Sequence, residues 1–201
     1  MTNTESERFP LFDAMNHQPV MTIFAGPNGG GKSTLRDEWS LSHPLGTIID
    51  VDFIARQHHL TDIEAGKKAI QLVEACIRDG VPFALETTLS GHLIFQQMIQ
   101  AKKNRFQIHL LFVSLASPRE HQKRVEQRVA NGGHAIPAAD IERRYFRSLT
   151  NLPKAIDLAD HVHVFTNVSR YVLVCTIEQG RMVYKDRQSP KWLVDVIRQM
   201  E

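Results

Sequence analysis

The sequence predicts an α/β fold in which a mostly parallel sheet carries helices on both faces. Two observations point there. Short apolar runs alternate with stretches whose apolar residues recur at helical spacing. A glycine-rich turn also sits directly between the first apolar run and the first helical stretch.

In chain order, Val20–Ala25 is an apolar run of strand length, and Lys32–Ser40 follows the glycines as a helix. Thr47–Asp50 reads as a second strand ending in acids. From Asp62 to Arg78, Ile63, Ile70, Val73 and Ile77 mark one helical face, with Gly66 on it, and Asp79-Gly80 ends the helix. Pro82–Glu86 is a third strand, Ser90–Lys103 a helix with Ser90 at its cap, and Ile108–Val113 the most apolar strand. Two basic helices, Pro118–Ala130 and Ala138–Leu158, flank a segment containing Gly132-Gly133. His161–Phe165 is a fifth strand, Tyr171–Ile177 and Met182–Tyr184 form a hairpin, and Trp192–Met200 closes the chain as a helix. Residues 1–18 read as a polar tail and 19–201 as one domain, with a helical lid over about 118–150.

The 201 residues are 42% hydrophobic and 23% charged, an ordinary soluble balance. A formal charge of +2 gives no ground for wholesale nucleic-acid binding. No run approaches the roughly 20 apolar residues of a membrane span, and nothing resembles a secretory leader. Cys76 and Cys175 sit within apolar patterns and read as buried thiols of a reducing, cytoplasmic setting. His58-His59 and His161/His163 lack partners at metal-ligand spacing and read as ordinary loop and strand histidines.

Gly26-Pro27-Asn28-Gly29-Gly30-Gly31-Lys32-Ser33-Thr34 fits G-x-x-x-x-G-K-[ST], the phosphate loop of a P-loop NTPase or kinase fold. The glycines let successive N–H groups turn onto phosphates, and the helix that follows aims its N-terminus at the same anion. Lys32 is expected to reach the outer phosphates of ATP, or less favourably GTP, and the Ser33 hydroxyl to serve as a Mg²⁺ ligand.

Ligands of open α/β sheets lie beyond the strands' carboxyl ends. Asp50 and Asp52 fall there after the second strand, and Glu86, Thr87 and Thr88 after the third. Asp52 is a candidate proton acceptor for a hydroxyl substrate, and Glu86 and Thr88 are candidate substrate contacts. The competing reading makes Asp52 a helix cap. The fourth strand ends in Ser114-Leu-Ala-Ser117 without an acid, which favours a small-molecule kinase over a motor ATPase. Arg119, Lys123, Arg124 and Arg128, with Arg143, Arg144 and Arg147, form either a solvated face or a lid that brings guanidinium groups onto the phosphates.

Together these residues resemble the zeta-toxin-like P-loop kinases, specifically short bacterial members labelled ABC-type ATPases. The resemblance runs from Thr22 to Asn167. It rests on the phosphate loop, Leu85-Glu-Thr-Thr-Leu-Ser-Gly91, Arg124-Val-Glu-Gln-Arg-Val-Ala-Asn-Gly-Gly-His134 and Ile141–Leu152. It implies an ATP- and Mg²⁺-dependent kinase of an alcohol group. The implied acceptor is a nucleotide-linked sugar such as UDP-N-acetylglucosamine, and the implied partner an antitoxin protein. By motif, Lys32 and Ser33 serve ATP and Mg²⁺, Asp52 matches the general base, Glu86 and Thr88 the acceptor contacts, and Arg124 a phosphate clamp. Ser90 stands where the family carries an arginine. A second clamping arginine falls on His134, and Arg128 is the other residue placed to take that duty. The alternatives are a kinase of another metabolite, or a nucleotide-binding regulator that transfers nothing.

Overall fold

The computed structural model describes residues 18–200, so residues 1–17 of the expected N-terminal tail lie outside the described residues. One seven-stranded sheet organises the chain. Its strands are β1 (Val20–Ala25), β2 (Thr47–Ile49), β3 (Phe83–Thr87), β4 (Gln107–Ser114), β5 (His161–Asn167), β6 (Tyr171–Glu178) and β7 (Arg181–Lys185), in the order β2-β3-β1-β4-β5-β6-β7. The first five are mutually parallel, and β6 and β7 continue antiparallel. The mostly parallel sheet of the sequence reading is therefore present. Gln179 (φ 48°) and Gly180 (φ 75°) make the two-residue turn between β6 and β7, with the positive φ at both positions that a tight hairpin favours.

The central strands are buried on both sides, and their two-residue period sorts side chains into two cores. Met21, Ile23 and Ala25 of β1 join Ile108, Leu110 and Phe112 of β4 in the larger core. Phe24, Leu111 and Val113 face the smaller one, which α1 (Lys32–Ser40) seals with Leu35 and Trp39. The larger core is covered by α3 (Asp62–Asp79), α4 (Leu93–Lys103), α6 (Ala138–Leu158) and α7 (Lys191–Arg198). Two further helices, α2 (Val51–His58) and α5 (Pro118–Ala130), lie at the carboxyl edge of the strands. Among the described residues, no helix is long and apolar enough to cross a membrane.

Three local expectations are corrected. The buried stripe of α3 is Ala65, Ala69, Val73, Cys76 and Ile77, while Ile63 is 73% exposed. A reciprocal cap between Thr61 and Glu64 fixes where the helix starts, and the small alanines rather than the isoleucine turn inward, where α2 packs close. Ser90 does not cap α4. Its Oγ lies 2.8 Å from Thr88 Oγ1, while Leu89 adopts φ 56° and donates its N–H to Thr87 Oγ1. That turn delays the helix to Leu93. The cap of α2 is Asp50, which accepts the Phe53 N–H at 3.1 Å, and Asp52 sits in the helix's first turn. The two basic helices have the bounds expected of them.

His109, His121 and His163 are buried, and burial first of all lowers their pKa from 6.5, to about 3, 4 and 4 respectively. Neighbouring imidazoles His161 and His43 add to the shift at His109 and His163. Each ring is neutral in the fold, so the unfolded chain binds more protons between about pH 6.5 and 4, and stability falls as pH drops through that window. The urea midpoint should therefore decline from pH 7 to 5, where few carboxylates titrate. His163→Leu should flatten the decline, and a parent midpoint independent of pH would contradict this account.

Candidate active site at the carboxyl edge of the sheet

The phosphate loop joins β1 to α1, and distant residues fix its shape. Gly26 (φ 138°) passes so close to β4 that a Cβ there would meet the Val113 carbonyl oxygen at 2.0 Å. Gly31 (φ 97°) packs against Asn167 and Tyr171, whose polar atoms would lie 2.6 and 2.7 Å from a Cβ. Those two side chains donate to the loop's outward carbonyls, Asn167 Nδ2 to Gly30 O (3.1 Å) and Tyr171 Oη to Gly31 O (2.6 Å). With its carbonyls held outward, the loop keeps N–H groups for an anion.

A third support comes from α5. His121 Nε2 accepts the Leu115 N–H at 3.1 Å, which leaves Nδ1 to carry the proton and donate to Asn28 O at 2.8 Å. Arg144 of α6 donates to Asn28 Oδ1 at 3.2 Å. None of these four residues carried a local sequence signal for this duty.

Arg36, on α1, is the other residue that the motifs did not mark. Its Nη1 donates to Asp50 Oδ2 at 2.9 Å and to Glu86 Oε1 at 2.8 Å, and its side chain is only 13% exposed. The other Glu86 oxygen accepts the Ser33 hydroxyl at 3.0 Å. The acid facing the phosphate-loop serine therefore comes from β3, which pairs with β1 on the side opposite β4. This explains why the acid-free end of β4 leaves no gap. Burial pushes the Glu86 carboxyl up, and Lys32, Arg36 and Ser33 pull it back.

Asn28, Lys32, Ser33, Asp52, Arg124 and Arg128 line a cavity of about 480 Å³ over the loop, together with Glu86 and Thr88. Burial lowers the Lys32 ammonium to about 8, Arg128 and Arg144 contribute to the same shift, and Glu86 and Asp52 oppose it. Arg124 Nη2 reaches the Asn167 and Val168 carbonyls, both at 2.6 Å, and so ties α5 to the end of β5. Arg128 Nη2 donates to the His134 carbonyl at 2.9 Å. His134 itself is exposed and does not line this cavity, whereas Arg128 does. Thr88 and Ser90 line a second cavity that adjoins the first.

Hard oxygen donors, the Ser33 hydroxyl and nearby Asp50, Asp52 and Glu86, suit Mg²⁺, which is usually held by one or two protein groups and substrate phosphates. Among the described residues, no set of three or more His, Cys, Asp or Glu side chains forms a metal site of its own.

This architecture defines the class as a P-loop α/β protein with an acid-rich site beside the loop. No protein-family model matches the chain. An uncharacterized protein of Haemophilus influenzae is 39% identical over 128 residues, which span 61% of this chain and 90% of that one. A chain of the PezAT chromosomal toxin–antitoxin system of Streptococcus pneumoniae superposes with a TM-score of 0.60 at 17% identity, over 92% of this chain and 79% of that one. A chain of the AvrRxo1-ORF1:-ORF2 complex with ATP superposes with a TM-score of 0.65 at 12% identity, over 92% and 64% respectively. The chain belongs to one family with the Haemophilus protein, and it shares the fold of these two solved structures.

A lysine with a pKa of about 8 loses its charge just above neutrality. Affinity for Mg·ATP should therefore fall about fivefold from pH 8 to pH 9, following the protonated fraction of Lys32. Lys32→Arg, charged throughout, should flatten that profile. Calorimetric titration at the two pH values checks this, and a flat parent profile would contradict it.

Proposed function

We propose that the protein is an ATP-dependent kinase that transfers the γ-phosphoryl group to an alcohol oxygen of a small molecule. The observation that carries this reading is the pair of adjoining cavities, one over the phosphate loop and one beyond it. They share Val51, Glu86, Thr87 and Thr88. A hydrolase needs room only for water beside the γ-phosphate, whereas a kinase needs a second site for its acceptor.

In this reading Lys32 and the loop N–H groups hold the phosphates, and Arg124 and Arg128 face the charge that develops on the moving group. Mg²⁺, held through Ser33, would neutralise phosphate charge. Asp52 takes the acceptor's hydroxyl proton as the new O–P bond forms and the bond between the γ-phosphorus and the bridging oxygen breaks, releasing ADP. Glu86 and Thr88 lie where an acceptor hydroxyl would be oriented. Arg128 is better placed than His134 for a second clamp. The region 118–150 acts as the lid, and its movement would be confined to the tips of α5 and α6, because His121 and Arg124 pin the body of α5.

Two acceptor classes are compatible with this mechanism. One is the nucleotide-linked sugar implied by the resemblance, such as UDP-N-acetylglucosamine. The other is an unrelated metabolite. An antitoxin-like protein covering the nucleotide site belongs to the first version. It draws support from the toxin–antitoxin system and the two-protein complex named for the structural neighbours.

Asp52→Asn should lose about 10²–10⁴-fold in transfer while Mg·ATP affinity holds, because the amide keeps the size but cannot take a proton. Lys32→Ala should lose both transfer and affinity while remaining folded. Measuring affinity and transfer on the same preparations separates the roles. Near-normal transfer in Asp52→Asn removes the base from the mechanism, and tight binding of Mg·ATP by the parent without transfer to any alcohol would make the protein a nucleotide-binding regulator.

A further inference from the structure

The second cavity has a composition that the phosphate site does not share. It encloses about 370 Å³ between the carboxyl ends of β2 and β3 and the facing sides of α3 and α4. Its walls are apolar, with Ile49, Ala69, Ile70, Val73, Leu85 and Ile94 deep or half-buried around it. Its polar lining consists of Glu86, Thr87, Thr88 and Ser90 at and after the end of β3, with Gln97 on α4.

Among the described residues, no lysine, arginine or histidine lines it. The titratable group among the described lining residues is the Glu86 carboxyl, an acid. The nearest guanidinium, Arg36, is committed to Asp50 and Glu86 and does not line the cavity. A diphosphate placed here would meet a carboxylate and hydrocarbon with no cation to compensate, and stripping its hydration without a partner is costly. An uncharged molecule with an apolar body gains from the same walls.

We infer that the acceptor of this enzyme is a compact, uncharged alcohol with an apolar body, bound in the α3–α4 cavity with its hydroxyl toward Thr88, Ser90 and Asp52. The inference rests on the kinase reading for the fate of that hydroxyl, and on the cavity alone for the binding. It replaces the nucleotide-linked sugar by a different chemical class. The 370 Å³ size matches a molecule of about one or two rings, within the usual small-ligand range of roughly 300–1,000 Å³. Transfer would convert the alcohol and ATP into a phosphate monoester and ADP, and the hydroxyl proton would leave through Asp52.

Binding and transfer are tested separately. Saturation-transfer NMR would be run on the full chain with Mg²⁺ and a non-hydrolysable ATP analogue. The probes are benzyl alcohol, cyclohexanemethanol, panthenol and thymidine, with UDP-N-acetylglucosamine as competitor. Uncharged alcohols should bind, and an excess of the nucleotide sugar should not displace them. Ile70→Trp, which fills the cavity, should weaken binding at least tenfold without changing affinity for the ATP analogue. Leu93→Trp, at a position 44% exposed and tolerant of bulk, should do the same and guards against a folding defect in the first variant. No alcohol signal on the parent, signals unchanged in both variants, or displacement by the nucleotide sugar overturns the inference. Labelled ATP then replaces the analogue. If the alcohols bind as described but no phosphate monoester forms, the cavity assignment stands and the kinase reading falls. If UDP-N-acetylglucosamine is the better acceptor, the kinase reading stands and the inference falls.

Discussion

Two carboxylates and one guanidinium set the charge balance on which the rest of the site depends. Asp50 and Glu86 come from different strand ends, and both accept from the same Arg36 nitrogen. Glu86 is buried enough for its carboxyl to be pushed up, so without a cation it would favour the neutral form. Arg36 supplies that cation from α1, the helix that follows the phosphate loop. Lys32 thereby remains available for phosphates instead of serving as the only counter-ion to Glu86. Glu86 in turn accepts the Ser33 hydroxyl and orients it. A guanidinium largely buried among Asp37, Asp50 and Glu86 is expensive to desolvate. Its presence makes most sense as a device that fixes the relative positions of α1, α2 and β3.

The loop's glycines and its lysine were legible because the motif is contiguous, and backbone anion binding needs those residue types side by side. The strand and helix order was legible because burial on both sheet faces leaves uninterrupted apolar runs in β1 and β4. The bounds of α5 were written locally, in a Ser117 cap followed by Pro118. What escaped was long-range. Asn167 and Tyr171 lie 137 and 140 residues from the glycines they support, and Arg36 reaches across 50 residues to Glu86. A histidine such as His121 looks in sequence like part of a basic helix face; only the fold turns it inward as a neutral link between two backbone segments. On α3, Val73 and Ile77 are buried as their spacing predicts, whereas Ile63 is exposed and Ala65 and Ala69 turn inward, because close packing favours alanine. Ser90 reads as a cap, and Asp52 in one of its two readings, because each precedes or opens a helix. The true cap of α2 lies two residues before Asp52, and the turn at Leu89 moves the start of α4 past Ser90.

The same long-range contacts bear on how the basic helices can work. If the whole α5–α6 pair swung as a unit, His121 would leave Asn28 and Arg124 would leave the end of β5. The first of those breaks would also release the phosphate loop's own support. Closure that preserved the loop would have to flex beyond Arg124, where the Arg128 guanidinium donates to the His134 carbonyl and Gly132 adopts a left-handed backbone. In the proposed lid, Arg128 would be the residue able to move onto a phosphate, while Arg124 is braced against the end of β5. On the proposed kinase reading the two cations would serve different ends: a fixed one would organise the nucleotide, and a mobile one would respond to charge as it develops.

The two cavities divide the physical work in a similar way. The phosphate side is crowded with fixed charges and N–H groups whose effect grows as water leaves. The α3–α4 side offers almost none, and can drive water out by apolar contact when a matching body enters. Val51, Glu86, Thr87 and Thr88 belong to both, so on the proposed kinase reading an acceptor that fills the apolar side would also cover one wall of the charged side. Occupancy of the acceptor cavity would thereby strengthen the electrostatics at the phosphates. That coupling gives a physical reason for transfer to an acceptor to outpace transfer to water, since water alone fills neither the apolar cavity nor the shared wall.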